Sequence, residues 1–320
     1  MIALPRVGLG TAPLGGLYEA VDDESARATV ERAWELGLRF FDTAPLYGHG
    51  LSERRLGRAL AGRARDELVL ATKVGRLLRA GAPPDETQLS DGLEVWKGVP
   101  PVRPVFDFSY DGALRSVEES LERLGLDRVD VLHIHDPDEH YEEALHGAYR
   151  ALERLRSEGT IGAVGAGMNQ AEMLARFARE ADFDCFLLAG RYTLLDQSAL
   201  AELLPLCLER GIAVIVGGVY NSGILADPRP GATYDYRLAP PELVERARRL
   251  DAVCARHGVP LKAAAIQFPF GHPAVTTLLV GARSLEELEE NLALLRLEIP
   301  AELWEDVRAE SLLPDEVPTP

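Results

Sequence analysis

Val129-Asp130-Val131-Leu132-His133-Ile134-His135 and Ala213-Val214-Ile215-Val216-Gly217-Gly218 are nearly continuous apolar runs. A strand with one face in water alternates apolar and polar residues. A run without that alternation reads as a strand buried on both faces, as in a parallel sheet covered by helices. Six further candidate strands surround these two: Val7–Thr11, Arg39–Thr43, Leu68–Val74, Ile161–Gly167, Cys185–Gly190 and Thr276–Gly281.

Amphipathic stretches separate the strands. Asp23–Leu36 places Ala26, Val30, Ala33 and Trp34 on one face, and Tyr110–Leu124 places Leu114, Val117, Leu121 and Leu124. Glu142–Ser157, Gln170–Ala181, Ser198–Arg210, Pro241–His257 and Ser284–Leu295 have the same period. Unbroken strand–helix alternation predicts an α/β chain folded as one closed (β/α)8 TIM barrel domain over residues 1–320. Pro260–Phe270 has no strand before it and is expected as an extra helix, and Ala301–Ser311 as a further C-terminal one. Leu77–Phe108, with Ala82-Pro83-Pro84 and Val99-Pro100-Pro101, is the longest irregular stretch and is expected to lie over the barrel mouth.

The chain has 320 residues, of which 47% are hydrophobic, enough to build a sizeable core. Its net charge of −17 disfavours nucleic acid or an anionic membrane as main partner, but does not forbid a small anionic ligand held by local groups. Cys185, Cys207 and Cys254 are far apart and form no CxxC pair, which argues against a disulfide scaffold and for a reducing compartment. Met1–Arg6 does not open a secretory leader, and no apolar run is long enough to span a bilayer. A cytoplasmic protein is expected.

Active sites of such barrels lie at the C-terminal ends of the strands. Those ends carry Asp42, followed by Tyr47, then Lys73, then His135-Asp136. Each has a bland reading: Asp42 as a cap, Tyr47 as a loop aromatic, Lys73 and Asp42 as a purely structural pair. Their meeting on one rim favours chemistry. A tyrosine of ordinary pKa ~10 is a poor acid and a poor base at neutral pH. A nearby ammonium is expected to lower that pKa, a carboxylate to orient the lysine, and an imidazole to polarise a carbonyl. This is equipment for carbonyl reduction or alcohol oxidation with a hydride-carrying cofactor.

At this point the sequence resembles the aldo-keto reductase family. The resemblance is carried by Val7-Gly8-Leu9-Gly10-Thr11, Phe41-Asp42-Thr43-Ala44-Pro45-Leu46-Tyr47-Gly48, Ser52-Glu53, Leu56-Gly57 and Ala71-Thr72-Lys73. It continues in Ser116–Leu121, Leu124-Gly125, Val129–Pro137, Gly281-Ala282-Arg283-Ser284 and Glu289-Glu290-Asn291-Leu292. The resemblance implies a TIM barrel and a nicotinamide cofactor, NAD or NADP, bound without a Rossmann domain. It also implies the tetrad Asp42, Tyr47, Lys73 and His135, with Tyr47 as general acid/base. Thr11, Asp42, Asn169, Gly190, Gly217, Gly281, Arg283, Glu287 and Asn291 are the implied cofactor contacts. Asn169 stands where the family holds the carboxamide, and Tyr220 is the nearest candidate for the usual stacking aromatic. NADPH-dependent members place a lysine near Gly281 and an arginine near Glu287. A glutamate there repels a 2′-phosphate, so NAD is the expected preference, although Ser284-Leu285-Glu286-Glu287 also reads as a capping box and Arg283 remains available to a phosphate.

Phe106–Gly112, His135–Asp138, Gly165–Gln170 and Ala189–Leu195 resemble the L-fucose / D-threo-aldose / L-galactose dehydrogenase group. That implies oxidation of an aldose at C1 to its lactone. His49, Asp136 and Asp138 are the candidate polar walls for such a sugar. Pyridoxal oxidation and general aldehyde or ketone reduction stand as alternatives. Two remoter rivals are a metal-dependent barrel hydrolase, suggested by His133-x-His135 with Asp136, Asp138 and His140, and a non-enzymatic nicotinamide-binding subunit. Gly8-Leu9-Gly10-Thr11-Ala12-Pro13 only echoes a dinucleotide fingerprint, and no β-α-β unit with a ribose acid follows it.

Overall fold

The computed structural model describes residues 2–83, 89–90 and 93–320. Eight parallel strands close a barrel in sequential order: β1 Val7–Gly10, β2 Phe40–Asp42, β3 Val69–Val74, β4 Val131–His135, β5 Ala163–Met168, β6 Cys185–Ala189, β7 Ala213–Gly217 and β8 Val275–Gly281. Around them lie α1 Asp23–Glu35, α2 Leu51–Leu60, α3 Tyr110–Leu124, α4 Tyr149–Ser157, α5 Ala171–Glu180, α6 Leu203–Arg210 and α7 Pro241–Arg256. α8 Leu261–Gln267, α9 Leu285–Leu294 and α10 Ala301–Ala309 follow, and the helical turns Tyr141–Glu143 and Ala144–Ala148 lead directly into α4. The predicted (β/α)8 barrel is therefore the observed fold, with α8 and α10 as its extras. No helix among the described residues is long and apolar enough to cross a membrane.

The apolar runs behave as their lack of alternation implies. One face of each strand fills the barrel, where Phe40, Ala71, Val131, Ala163, Cys185, Leu187, Ile215 and Leu279 form an inner cluster. The other face packs under the helices in a larger layer that includes Leu70, Leu132, Val164 and Val214. β1 brings glycine to the inner layer for a packing reason: a Cβ on Gly8 would lie 2.6 Å from Phe40 Cδ1.

Three expectations need correction. First, α3 covers the predicted residues, but its buried side is Ala113, Ser116, Val117, Ser120 and Leu124, with Leu114 and Leu121 only partly buried. Small residues face inward because α2 presses closely there. Second, α2 itself is not among the predicted amphipathic stretches. It buries Ser52, Glu53 and Arg55 along with Leu56, Ala59 and Leu60, so its inward face does not read as apolar. Third, Leu77–Phe108 is not wholly irregular: Arg76–Ala80 pairs antiparallel with Val102–Phe106, and this arm carries Val95 and Trp96 to the mouth, where Trp96 bridges to Leu17. Within that stretch, Pro84 and its neighbours at 85–88 and 91–92 lie outside the described residues.

Gly57 marks the α2–α3 contact, since a Cβ there would strike the carbonyl of Leu124. In an exposed helix Gly→Ala gains about 1 kcal/mol of propensity, but overpacking against backbone costs about 1–3 kcal/mol. Gly57→Ala is expected to lower the unfolding free energy by about 1–2 kcal/mol in denaturant titration; an unchanged or raised midpoint would show that the helices can part freely.

Candidate active site

The ends of β2, β3 and β4 deliver Asp42, Lys73 and His135 to one rim. Tyr47 comes from the turn after β2, which reverses through Gly48, His49 and Gly50 at φ 61°, 52° and 82°. Glycine is needed at 48 twice over: the left-handed backbone disfavours a side chain, and a Cβ would collide with the Gly15 carbonyl.

Lys73 is 1% exposed and Asp42 2%, and Lys73 Nζ donates to Asp42 Oδ1 at 2.6 Å. A second donation reaches the Thr43 carbonyl at 2.9 Å. The ammonium lies 4.6 Å from the centroid of the Tyr47 ring, and the His135 ring stands edge-on to Tyr47 at 5.7 Å. Trp96 closes the other side of Tyr47 at 5.8 Å. Tyr47, Lys73, His135 and Trp96 line a cavity of about 420 Å³ with Arg76, Asp136, Asn169 and Arg191, and Asp42 lies behind Lys73. The four residues read from the strand ends are thus brought together on one floor.

The electrostatics differ from expectation in one respect. Burial raises the Tyr47 pKa well above its ordinary value, and the carboxylates of Asp42 and Asp136 push the same way, with only the Arg76 guanidinium opposing. The predicted lowering by a neighbouring ammonium is not the net result, because burial outweighs it and the Asp42 carboxylate beside Lys73 adds to the rise. His135 is held well below the ordinary imidazole range by burial and by the cations of Arg76 and Lys73. The floor therefore presents a neutral phenol and a neutral imidazole over a neutralised ion pair, a donor set suited to a carbonyl oxygen.

The other singled-out residues fall at several places. Asp136, at φ 41°, lines the cavity with its carboxylate 3.3 Å from Arg76 Nη1 and 3.4 Å from His135 Nε2. Asp138 is on the same wall, bonded to Gln170. His49 is not on it: the ring is buried against the arm after β3, with Nδ1 3.3 Å from Arg103 Nη1. Thr11 is fully buried, and its hydroxyl donates to the Asp42 carbonyl at 2.8 Å rather than facing open space. Asn169 follows β5 directly, lines the cavity and bonds the Tyr236 side chain.

Gly190 follows β6 and Gly217 ends β7, and the Gly190 amide donates to the Gly217 carbonyl at 3.0 Å. Asn221 Nδ2 donates to the Gly190 carbonyl at 3.1 Å, while its buried Oδ1 has no partner among the described residues. Beyond β8, Asn291 links the Gly281 carbonyl to the Tyr220 hydroxyl at 3.1 and 2.8 Å, so Tyr220 is tethered by its hydroxyl. Arg283 donates to Glu287 at 2.7 Å and to Glu19 at 3.1 Å. Glu287 also accepts from the Arg283 amide, while its own amide donates to Ser284, so the capping pattern and the charge pair coexist.

His133 points into the barrel below Lys73, fully buried, its pKa lowered to about 3 by burial and by Lys73. Among the described residues no three His, Cys, Asp or Glu side chains gather as a metal-holding group. Arg76, Trp96 and the Arg191–Asp235 pair were not legible as site residues. Arg76 carried one signal, a lone charge in the otherwise apolar Val74-Gly75-Arg76-Leu77-Leu78.

Residues 6–311 match the family model for the Aldo/keto reductase family. The chain is 44% identical over 319 residues to D-threo-aldose 1-dehydrogenase of Pseudomonas sp, covering 98% of this chain and 96% of that one. It is 44% identical over 331 residues to pyridoxal 4-dehydrogenase of Microbacterium luteolum, covering 98% and 95%. Among solved structures it is similar to the holo form of an aldo-keto reductase from Bacillus halodurans, with TM-score 0.72 and 26% identity over 95% of this chain and 91% of that one. With a closed parallel barrel, a strand-end site and a family match over nearly its whole length, the chain belongs to the aldo/keto reductase family of oxidoreductases, which use nicotinamide cofactors.

Proposed function

We propose that the chain is an aldose 1-dehydrogenase, oxidising a sugar of the L-fucose, L-galactose or D-arabinose type at C1 to its lactone, with NAD preferred over NADP. The observation that carries this reading is the floor of the cavity, where Tyr47, His135 and the Lys73–Asp42 pair meet beneath polar walls. Those walls suit a polyol: Asp136 offers acceptors, and Asn169 and Arg191 add donors. The name of the Pseudomonas relative points the same way.

The residues present fit a nicotinamide dinucleotide. Glycine follows β6 and ends β7, beside Asn221 Oδ1, which has no partner among the described residues, and the N-terminus of α9 lies past Gly281. Asn169, Gly190, Gly217 and the stretch Gly281–Asn291 would hold it. When bound, such a cofactor supplies the hydride acceptor for C1. The Tyr47 hydroxyl, as phenolate, takes the anomeric hydroxyl proton; in the reverse direction it returns that proton to the carbonyl oxygen. Lys73 supplies positive charge beside the ring, Asp42 fixes Lys73, and neutral His135 orients the reacting oxygen. Glu287 and Glu19 already occupy Arg283, so a 2′-phosphate must compete with two carboxylates while a ribose hydroxyl need not.

A second reading, oxidation of pyridoxal, is favoured by the aromatic wall of Tyr47 and Trp96 and by the Microbacterium relative. A panel of L-fucose, L-galactose, D-arabinose and pyridoxal with NAD+ and NADP+, followed at the nicotinamide absorbance, separates the two. Tyr47→Phe is expected to lose about 10³-fold in kcat while keeping cofactor affinity; undiminished turnover would remove the assignment.

Cofactor choice is tested on the same assay. NAD+ is expected to exceed NADP+ about tenfold in kcat/KM, a difference of about 1.4 kcal/mol, and Glu287→Gln to narrow the gap by releasing Arg283. Equal efficiency in the parent chain would refute the preference.

The pH dependence has a definite sign. A raised phenol pKa leaves little phenolate at neutral pH, so the oxidation rate should rise with pH toward the alkaline side. Asp136 is one of the charges that raises it. Asp136→Asn should therefore lower that pKa and move the midpoint of the kcat–pH rise to lower pH. A midpoint that stays in place or moves up contradicts the arrangement.

A further inference from the structure

Three strand ends of the barrel converge on a single helical turn. α2 opens at Gly50, which provides no side-chain cap, and its first turn carries Ser52 and Glu53. Both side chains turn inward and are fully buried.

Ser52 Oγ lies 2.7 Å from Thr11 Oγ1, 2.9 Å from the Thr11 carbonyl and 3.0 Å from Thr43 Oγ1. Thr11 Oγ1 donates in turn to the Asp42 carbonyl at 2.8 Å. Each hydroxyl has one proton, and one arrangement satisfies them in series: Thr43 donates to Ser52, Ser52 to Thr11, and Thr11 to Asp42. Such a chain polarises along its length. It grips the backbone on both sides of the Lys73 ammonium's partners, the Asp42 carboxylate and the Thr43 carbonyl.

Glu53 uses both carboxylate oxygens. One accepts from Thr72 Oγ1 at 2.8 Å and the other from Arg123 Nε at 2.5 Å. Thr72 precedes Lys73 in β3, and strand alternation sends Thr72 out to α2 while Lys73 points into the barrel. A carboxylate in a helix's first turn is also favoured by the helix dipole. A buried Glu–Arg pair and a buried hydroxyl chain are costly ways to hold a helix on a barrel, because well-packed apolar side chains serve as well or better. Their value is directional: the hydroxyl chain ends at the Asp42 carbonyl, and the Glu53–Thr72 bond ends one residue from Lys73.

We propose that Ser52 and Glu53 are positioning residues: they set the approach of Lys73 to Asp42 and so to the Tyr47 ring, without touching substrate or cofactor. The proposal rests on the catalytic reading of Tyr47, Lys73 and Asp42. Misplacement of a reacting group by about 1 Å can cost up to about 10²-fold in rate, so even partial loosening should be visible in kcat.

The test compares Ser52→Ala, Thr72→Val and Thr72→Ser in the full chain, below the unfolding midpoint of each. Ser52→Ala and Thr72→Val are expected to lower kcat about tenfold or more, with KM for sugar and NAD+ within about twofold, the pattern of an interaction made only in the transition state. The midpoint of the kcat–pH rise should move upward, because an Asp42 carboxylate less neutralised by Lys73 opposes the Tyr47 phenolate. Thr72→Ser, which keeps the hydroxyl, should restore both. Unchanged kcat and midpoint would overturn the proposal, as would a loss of kcat with an unmoved midpoint that Thr72→Ser fails to rescue. If Ser52→Ala does not fold, the Thr72 pair decides alone. Tyr47→Phe assayed alongside separates the two levels: full turnover there removes the catalytic reading itself. An inactive Tyr47→Phe with unaltered Ser52→Ala and Thr72→Val removes only the positioning role.

Discussion

A lysine ammonium at 1% exposure is tolerated only because Asp42 stands 2.6 Å away. Taking two such charges out of water costs several kcal/mol per ion after relaxation, and their attraction repays this only with good geometry and further hydrogen bonds. Here the further bond goes to the Thr43 carbonyl, and that carbonyl stays in place because its own strand end is tied to β1 and α2. A pair of apolar side chains would fill the same barrel mouth at no such cost. The surrounding polar framework, from Thr11 to Glu53, is intelligible as what a buried ion pair requires of its neighbours.

Burial, more than that pair, sets the protonation of what lies above it. It raises the Tyr47 phenol, helped by the Asp42 and Asp136 carboxylates, and it lowers the His135 imidazole, helped by the cations of Arg76 and Lys73. Around this floor most charges are matched: Arg76 with Asp136, and Arg191 with Asp235. A cavity of matched pairs gives a neutral polyol both donors and acceptors without a strong net field. The same arrangement gives no special welcome to a strongly charged substrate.

The barrel was legible because parallel strands buried on both faces have little alternation to hide behind, and the eight strand ends fell within two residues of those read from the sequence. The floor residues followed from the barrel alone, since C-terminal strand ends face the mouth. What escaped has several causes. α2 buries a serine, a glutamate and an arginine, so its inward face has no apolar period to detect. His49 reads as a polar wall until its left-handed backbone turns it toward Arg103 and away from the cavity. Arg76 and Trp96 arrive on an arm whose pairing joins residues far apart in sequence. At Tyr47 the neighbouring cation reads as an acidifying group, whereas burial, which only the folded chain displays, raises the pKa and the Asp42 carboxylate adds to it.

The net charge of −17 acquires a local meaning at the β8–α9 junction. A generally acidic surface repels an anionic dinucleotide at long range, but salt screens that field beyond about 8–10 Å, leaving the contacts to decide. On the proposed reading those contacts are the amide groups opening α9, where an anion is favoured, and Arg283 held between Glu287 and Glu19. A pyrophosphate can use the helix terminus without disturbing that clasp. A 2′-phosphate adds about two charges and has to recruit Arg283 away from its carboxylates, leaving them close to the phosphate. On the proposed reading, discrimination between the two cofactors thus comes from a cation already occupied, and the glutamates act by what they withhold as much as by what they repel.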